Sequence, residues 1–280
     1  MEKKREKGII YVASGQAFIE EACSSAESVR RHMPDVPITL FTHQRVSPPE
    51  IDDVIVDERL EKGGNPKEGK IACLSRTPYD RTLFLDTDTY ICEDISELFL
   101  LLDAFEVAAA HDPARLYYAG ESHPSTLPES FPELNTGVLL YKTDSPSVRA
   151  LLRAWKERYG TMGGGVPERD QLSFREVLFE SDVRMTTLPS EYNCRFNFPM
   201  YLDGPAKVLH GRHDSLSYEE VAQILNVNGK VYEDGIHRRV FHVQSGRLSF
   251  PWRAMASIPK RLAQMGAHSF KIIRSIFSRR

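Results

Sequence analysis

Short apolar runs alternate with stretches whose apolar residues recur at helical spacing from residue 8 to about residue 210. "GIIYVAS" at 8–14 reads as a strand, residues 17–32 as a helix, and "ITLFTH" at 38–43 and "DVIVDE" at 53–58 as two further strands. Residues 67–78 predict a helix, "RTLFLD" at 81–86 a strand, "ISELFLLLDAF" at 95–105 a helix and "EVAAAHD" at 106–112 a strand. "NTGVLLYK" at 135–142 is again strand-like, and residues 145–160 predict a helix opened by Ser147 or a neighbour. A helix over 170–180 and a short strand, "AKVLH", at 206–210 complete the pattern. Apolar strands separated by helices imply an α/β fold whose mostly parallel central sheet is covered by helices on both faces. In such sheets ligands collect at the carboxyl ends of the strands.

Two segments break the alternation. "LYYAGESHPSTLPESFPEL" at 116–134 is rich in Pro and Ser and long enough to be a functional loop, and "TMGGGVPE" at 161–168 reads as a glycine-rich lid or hinge. There is no internal repeat and no linker before about Gly235, so the expected division is a catalytic domain over 1–234 and an extension over 235–280.

Composition adds little to that picture except at the end of the chain. With 280 residues, 41% hydrophobic and 27% charged, the chain is an ordinary globular protein with room for one large core. No Asp or Glu follows Asp234, whereas ten Lys or Arg lie beyond Gly235. In that tail Leu262, Met265, Ile273, Ile276 and Phe277 share one helical face, so residues 252–280 suit either an anionic membrane surface or the chain's own acidic body. Cys23, Cys73, Cys92 and Cys194 form no C-x-x-C pair, so neither a zinc ribbon nor a redox motif is suggested and a reducing cytoplasm fits; on the membrane alternative for the tail, the protein would sit peripherally on the inner membrane face. The basic start "MEKKREKGIIYVASG" carries an apolar run shorter than the 7–15 residues of a secretory signal, so it is expected to be the first strand. Nothing approaches the ~18 apolar residues of a membrane span, and no nucleic-acid partner is expected.

The chemistry starts at "LFLDTDTYI", residues 83–91, where an apolar strand ends in two carboxylates. Like charges this close repel unless a cation lies between them. A bland reading has Asp88 capping the turn while Asp86 faces water. His210, which closes "AKVLH" as Asp86 closes its own strand, supplies a third candidate ligand. Carboxylates with an imidazole suit a divalent ion such as Mn2+ or Mg2+, most useful where it bridges phosphate oxygens. Gly211 and Arg212 follow: glycine lets the backbone approach a phosphate and arginine neutralises it.

The surrounding stretch, "KIACLSRTPYDRTLFLDTDTYICEDISELF", resembles the glycogenin-like and lipopolysaccharide galactosyltransferase-like enzymes of glycosyltransferase family 8. The family's further blocks follow in order: "LNTGVLLYK" resembles its F-N-S-G-V strand, "ERDQLSF" its D-Q helix start, and "LPSEYNCRF" with "AKVLHG" its L-P-x-x-Y-N and V-V-H segments. The resemblance implies a GT-A fold and transfer of a hexose from a nucleotide-diphosphate sugar, usually a UDP-sugar, to a glycan or glycolipid acceptor, with Mn2+ and retention of configuration. Position by position, Asp86 and Asp88 match the D-x-D around Thr87, and His210 the third metal ligand. Lys70 matches the basic residue facing the donor, and Tyr11, Val12 and Ala13 the strand end that receives the base. Asn135, Thr136 and Gly137 match the segment beside the donor sugar, and Asp170 and Gln171 the D-Q pair near the anomeric carbon. One departure is "HGRHDS", where the family usually continues with K-P-W; Arg212 or His213 would take the place of that lysine.

On this reading a metal with Lys70 and Arg212 stabilises the charge gained by the departing diphosphate, and Asp170 or Gln171 faces the oxocarbenium-like centre. Structural alternatives are an Asn135 bonded to its own turn, an exposed Lys70 and an Asp170 that caps the helix. Rival functions are a haloacid-dehalogenase-like phosphatase, whose D-x-D also follows a strand, and a non-catalytic nucleotide-sugar-binding relative. The first would want Thr or Val where Tyr90 stands, and the second would be expected to lack a metal ligand.

Overall fold

A computed structural model describes residues 4–60, 65–113, 127–161, 170–198 and 200–226, together with the backbone strands 230–233, 239–244 and 247–249. The elements run β1 (Arg5–Val12), α1 (Gln16–His32), β2 (Ile38–Thr42), β3 (Asp53–Val56), α2 (Pro66–Leu74), β4 (Tyr79–Leu85), β5 (Thr89–Ile91), α3 (Leu98–Leu101) and β6 (Val107–His111). There follow β7 (Leu134–Lys142), α4 (Pro146–Thr161), α5 (Gln171–Phe179), β8 (Met185–Leu188), β9 (Val208–His210), α6 (Tyr218–Asn226), β10 (Lys230–Glu233), β11 (Arg239–Gln244) and β12 (Arg247–Ser249).

Seven strands form the central sheet in the order β3-β2-β1-β4-β7-β6-β8, and only β7 runs against its neighbours. The expected mostly parallel α/β sheet is therefore present. Alternate residues of each strand feed opposite faces. Ile9, Tyr11, Leu40, Leu83, Leu85, Val138 and Leu140 pack with Ile19, Ala22, Ala26 and Val29 of α1 and with Leu98 and Phe99 of α3. Ile10, Phe41, Phe84, Leu139 and Tyr141 face the other way, against α2, α4 and α5, where Trp155 is fully buried.

Local chemistry explains the helix starts. Asn65 caps α2 by accepting from the Lys67 amide at 3.0 Å, with Pro66 at the first helical position. Ser145, rather than Ser147, accepts from the Val148 amide at 3.3 Å to open α4, while its own hydroxyl donates to Glu106. Both predicted helices near the D-x-D are shorter than expected: α2 stops at Leu74, before Pro78, and 95–105 contains only the single turn of α3 within a series of tight turns.

Beyond the expected alternation lie β8, which pairs parallel with β6 at the edge of the central sheet, and α6, together with two smaller sheets. β5 leaves the D-x-D turn and pairs antiparallel with β9, so Thr89 faces His210 in a two-stranded ribbon of its own. A small third core of Tyr90, Phe196, Leu202, Leu209, Val221 and Leu225 supports that ribbon beneath α6. β10, β11 and β12 form an antiparallel three-stranded sheet, and the β10–β11 pairing joins residues on either side of the 234/235 boundary. Most of the Pro/Ser-rich stretch and of the glycine-rich segment, and all of 252–280, lie outside the described residues. Among the described residues no helix is long and apolar enough to cross a membrane.

Candidate active site

β4 delivers Asp86 to the carboxyl edge of the sheet, where its amide donates to the Gly137 carbonyl of β7 at 2.7 Å. The turn from β4 into β5 then carries Thr87 and Asp88, and the Asp88 carbonyl accepts from the Gly211 amide at 2.9 Å. Gly211 has φ +127°, a left-handed conformation suited to glycine, which allows this close link between the two ends of the ribbon. Strand pairing thus brings His210 to a carboxylate pair remote from it in sequence. Asp86, Asp88 and His210 present ligand atoms all within 4.8 Å of one another, with His210 Nε2 3.4 Å from Asp88 Oδ1 and 3.7 Å from Asp86 Oδ2.

The protonation of His210 follows from a chain of hydrogen bonds that begins at a backbone amide. Gly137 N–H donates to Asn135 Oδ1 at 3.0 Å, so the Asn193 group 3.0 Å from that oxygen is its NH2. Asn193 Oδ1 is then the atom 2.8 Å from His210 Nδ1, which must carry the ring proton. The lone pair of Nε2 is left facing the carboxylates, as a metal ligand requires. The three acceptors share no proton, and each is met by a cationic side chain: Asp86 by Lys70, Asp88 by Arg212 and His210 by Arg195. Gly137 leaves the space they occupy: a Cβ there would lie 2.5 Å from Asp86 Oδ2 and 2.8 Å from His210 Nε2. The donor set of two carboxylates and one imidazole therefore fits a divalent ion by geometry, tautomer and ligand type.

A second group adjoins this cluster. Lys70 from α2 reaches Asp86 Oδ1 at 3.1 Å, Asp170 Oδ2 at 3.2 Å and Thr136 Oγ1 at 3.3 Å. Thr136 Oγ1 in turn donates to Asp170 at 3.1 Å. Burial alone would lower the Lys70 pKa, but the carboxylates of Asp170 and Asp86 outweigh it and raise it to about 12. Burial likewise pushes Asp170 up, and Lys70, with Lys67 behind it, more than offsets this and holds it below the ordinary carboxylate range. Burial pushes Asp88 up, and the permanent positive charges of Arg212 and Arg195 act against it, so that it lies well below that range.

The structural alternatives now separate. The Lys70 side chain is 11% exposed, unlike a surface lysine. Asp170 stands at the cap position of α5 yet makes no side-chain cap bond; its carboxylate is spent on Lys70 and Thr136. Asn135 lies within β7 and not in a turn; it accepts from the Gly137 amide of its own strand and holds Asn193 as well. Gln171 donates from Nε2 to Asp112 at 3.3 Å, while its buried Oε1 has no hydrogen-bond partner among the described residues.

At the end of β1, the Tyr11 ring is fully buried and bonded to Ser25 at 2.9 Å, so only its backbone reaches the strand end with Val12 and Ala13. Arg212 grips Glu21 of α1 through Nε and Nη2 at 2.6 and 2.7 Å and reaches Asp88 at 3.1 Å; Thr87 also donates to Glu21. Glu21, Asn193 and Arg195 are the site neighbours that sequence reasoning missed. Asn193 lay inside a recognised block, whereas Glu21 had no signal beyond its place on a helix. Cys194 bridges to β9, and the residues on either side of it, Asn193 and Arg195, reach the two nitrogens of His210.

A mostly parallel seven-stranded sheet with one reversed strand, ending in a carboxylate pair that a small ribbon completes with histidine, is the arrangement of a GT-A fold. The chain is similar in sequence to glycogenin-1 of Mus musculus and of Oryctolagus cuniculus, each 25% identical over 179 residues covering 57% of this chain. It matches 48% of the length of those relatives, about half of each. No family model matches the chain. Among solved structures it is similar to the bifunctional glycosyltransferase WbbM (TM-score 0.53, 15% identity, 74% of this chain and 46% of that one). It is also similar to the glycosyltransferase GlyE of Streptococcus pneumoniae (0.52, 18%, 77% and 56%). The galactosyltransferase LgtC, solved with donor and acceptor sugar analogs, gives 0.50 at 17% identity over 77% of this chain and 91% of its own. These likenesses bear out the resemblance to glycosyltransferase family 8 and its GT-A fold.

Proposed function

We propose that this chain is a hexosyltransferase that moves a sugar from a nucleotide-diphosphate donor, a UDP-sugar, to a glycan or glycolipid acceptor with retention of configuration. The observation that carries the reading is the convergence of Asp86, Asp88 and His210 beside the Lys70–Asp170 pair. Asp86, Asp88 and His210 would hold Mn2+ or Mg2+, which supplies Lewis-acid stabilisation to a departing diphosphate. Lys70, kept charged by two carboxylates, adds a fixed positive charge on the same side. Arg212, with its side chain 56% exposed, is placed at the rim to meet phosphate oxygens arriving from solvent. Asp170 holds Lys70 in position, and Gln171 Oε1, without a hydrogen-bond partner among the described residues, is the member of the D-Q pair left to face developing positive charge. Deep, charge-bearing groups thus sit on the leaving-group side, and no protein acid is needed.

The phosphatase alternative draws no support from the fold: the D-x-D follows the fourth strand of a sheet whose relatives are glycosyltransferases. The test is a thermal-shift panel of nucleotide sugars with and without Mn2+. A ligand at 100 times its Kd stabilises by ~2.7 kcal/mol, so the true donor is expected to raise the melting temperature only when metal is present. Equal shifts with and without metal, or none with any nucleotide sugar, would overturn the reading.

A further inference from the structure

Arg195 lies two residues beyond the L-P-x-x-Y-N pattern, yet its Nη1 is 3.1 Å from His210 Nε2. A guanidinium can only donate, so it occupies the lone pair through which the imidazole would ligate an ion. One lone pair cannot serve two cations, and a divalent ion held by Asp86, Asp88 and His210 would repel the guanidinium as well. The remainder of the arginine head is poorly used. Its Nε is buried without a hydrogen-bond partner among the described residues, and its planar group lies 5.3 Å from the Phe198 ring centroid. A buried donor left unsatisfied is costly unless a ligand completes it. The ligand that suits a planar fork of N–H donors beside a divalent ion is a phosphate group.

We propose that Arg195 is a diphosphate-binding residue held in reserve on His210. In the ion-free protein it rests on the imidazole lone pair, and when ion and donor arrive it passes from there to a phosphate oxygen. This rests on the reading of the cluster as a metal-dependent donor site.

Titration calorimetry on the full chain tests it, first with MnCl2 alone and then with UDP at saturating Mn2+, comparing wild type, Arg195→Met, Arg195→Lys and Asp88→Ala. Arg195→Met is expected to bind Mn2+ alone about tenfold more tightly, because a competing cation is gone, and UDP about tenfold more weakly, because a phosphate donor is gone; each tenfold change is about 1.4 kcal/mol. Opposite signs in one variant do not arise from a merely structural role. Arg195→Lys, which keeps the charge but not the fork, is expected to move in the same directions by less, and it carries the test if circular dichroism finds Arg195→Met unfolded. Unchanged or weaker Mn2+ binding by a folded variant, or unchanged UDP binding, overturns the proposal. If wild type binds Mn2+, Asp88→Ala does not, and Arg195→Met matches wild type, this inference alone fails; if wild type binds no Mn2+, the donor-site reading fails with it.

Discussion

Asn193 decides which nitrogen of His210 faces the carboxylates, and it does so because its own orientation is set by Asn135 and ultimately by a backbone amide. Replacing a partner that orients a ligating histidine typically costs 10–100-fold in metal affinity. Asn193→Ala is therefore expected to weaken Mn2+ binding by about that factor while the protein stays folded, as read by titration calorimetry; an unchanged Kd would mean that packing alone orients the ring. The Lys70–Asp170 pair makes a different demand. Asp170→Asn leaves Asp86 alone to hold Lys70, enough to keep its charge in the site but not to fix its position, so UDP binding should change little while transfer falls by about 100-fold or more. Equal losses in both would make Asp170 a donor-binding residue. Its pKa also predicts a stability profile. The folded value lies below the unfolded value of about 3.9, so the pair stabilises the fold above that value and the contribution disappears as pH falls through the folded one. Chemical denaturation from pH 6 down to pH 2 should show a shallower acid loss in Asp170→Asn than in wild type.

At the scale of elements, the site depends on how closely β7 passes the β4 edge. The Asp86 amide and Gly137 carbonyl tie the two strands, and the absent side chain of Gly137 makes room for His210 from the ribbon. The φ of Gly137 is not in the left-handed region, so its constraint is contact and not backbone strain. Gly137→Ala is expected to force His210 and Asp86 apart, costing about 1–3 kcal/mol in stability as other overpacked sites do. Mn2+ binding should be lost with it. A variant of wild-type stability that still binds Mn2+ would show that the ribbon shifts freely. Such a shift would be surprising, because Gly211, Cys194 and Thr89 all pin β9 through backbone bonds or strand pairing.

For the whole molecule, the open matter is the basic end. We propose that residues 252–280 lie on an anionic membrane surface, which would bring the site to a glycolipid acceptor; the seven Lys or Arg of that segment, with no acid, motivate this. Vesicle binding should rise with anionic lipid and fall with salt, since exposed charges are screened beyond ~8 Å at physiological ionic strength. Deleting 252–280 should abolish vesicle binding but spare UDP binding, because every proposed site residue precedes it. Unfolding of the truncated chain would instead make the tail part of the core, and vesicle binding indifferent to salt and lipid charge would remove the electrostatic argument.

Most of the elements up to α5 were legible in the sequence because they follow from local periodicity: apolar runs such as "GIIYV" and "TLFL" are buried on both faces, and the helices between them carry an apolar stripe, whereas β5, β8, α6 and β10–β12 were not read there. The carboxylate pair was legible too, since two Asp at the end of an apolar strand place themselves at a sheet edge. Tertiary structure decided the rest. That β7 runs antiparallel, that β5 leaves the main sheet to pair with β9, and that Asn193 and Arg195 reach opposite nitrogens of His210 depend on contacts between residues far apart in the chain. Three-residue strands such as β5 and β9 are too short to carry a period of their own, and the role of a polar side chain is set by which partner folding brings within hydrogen-bond reach.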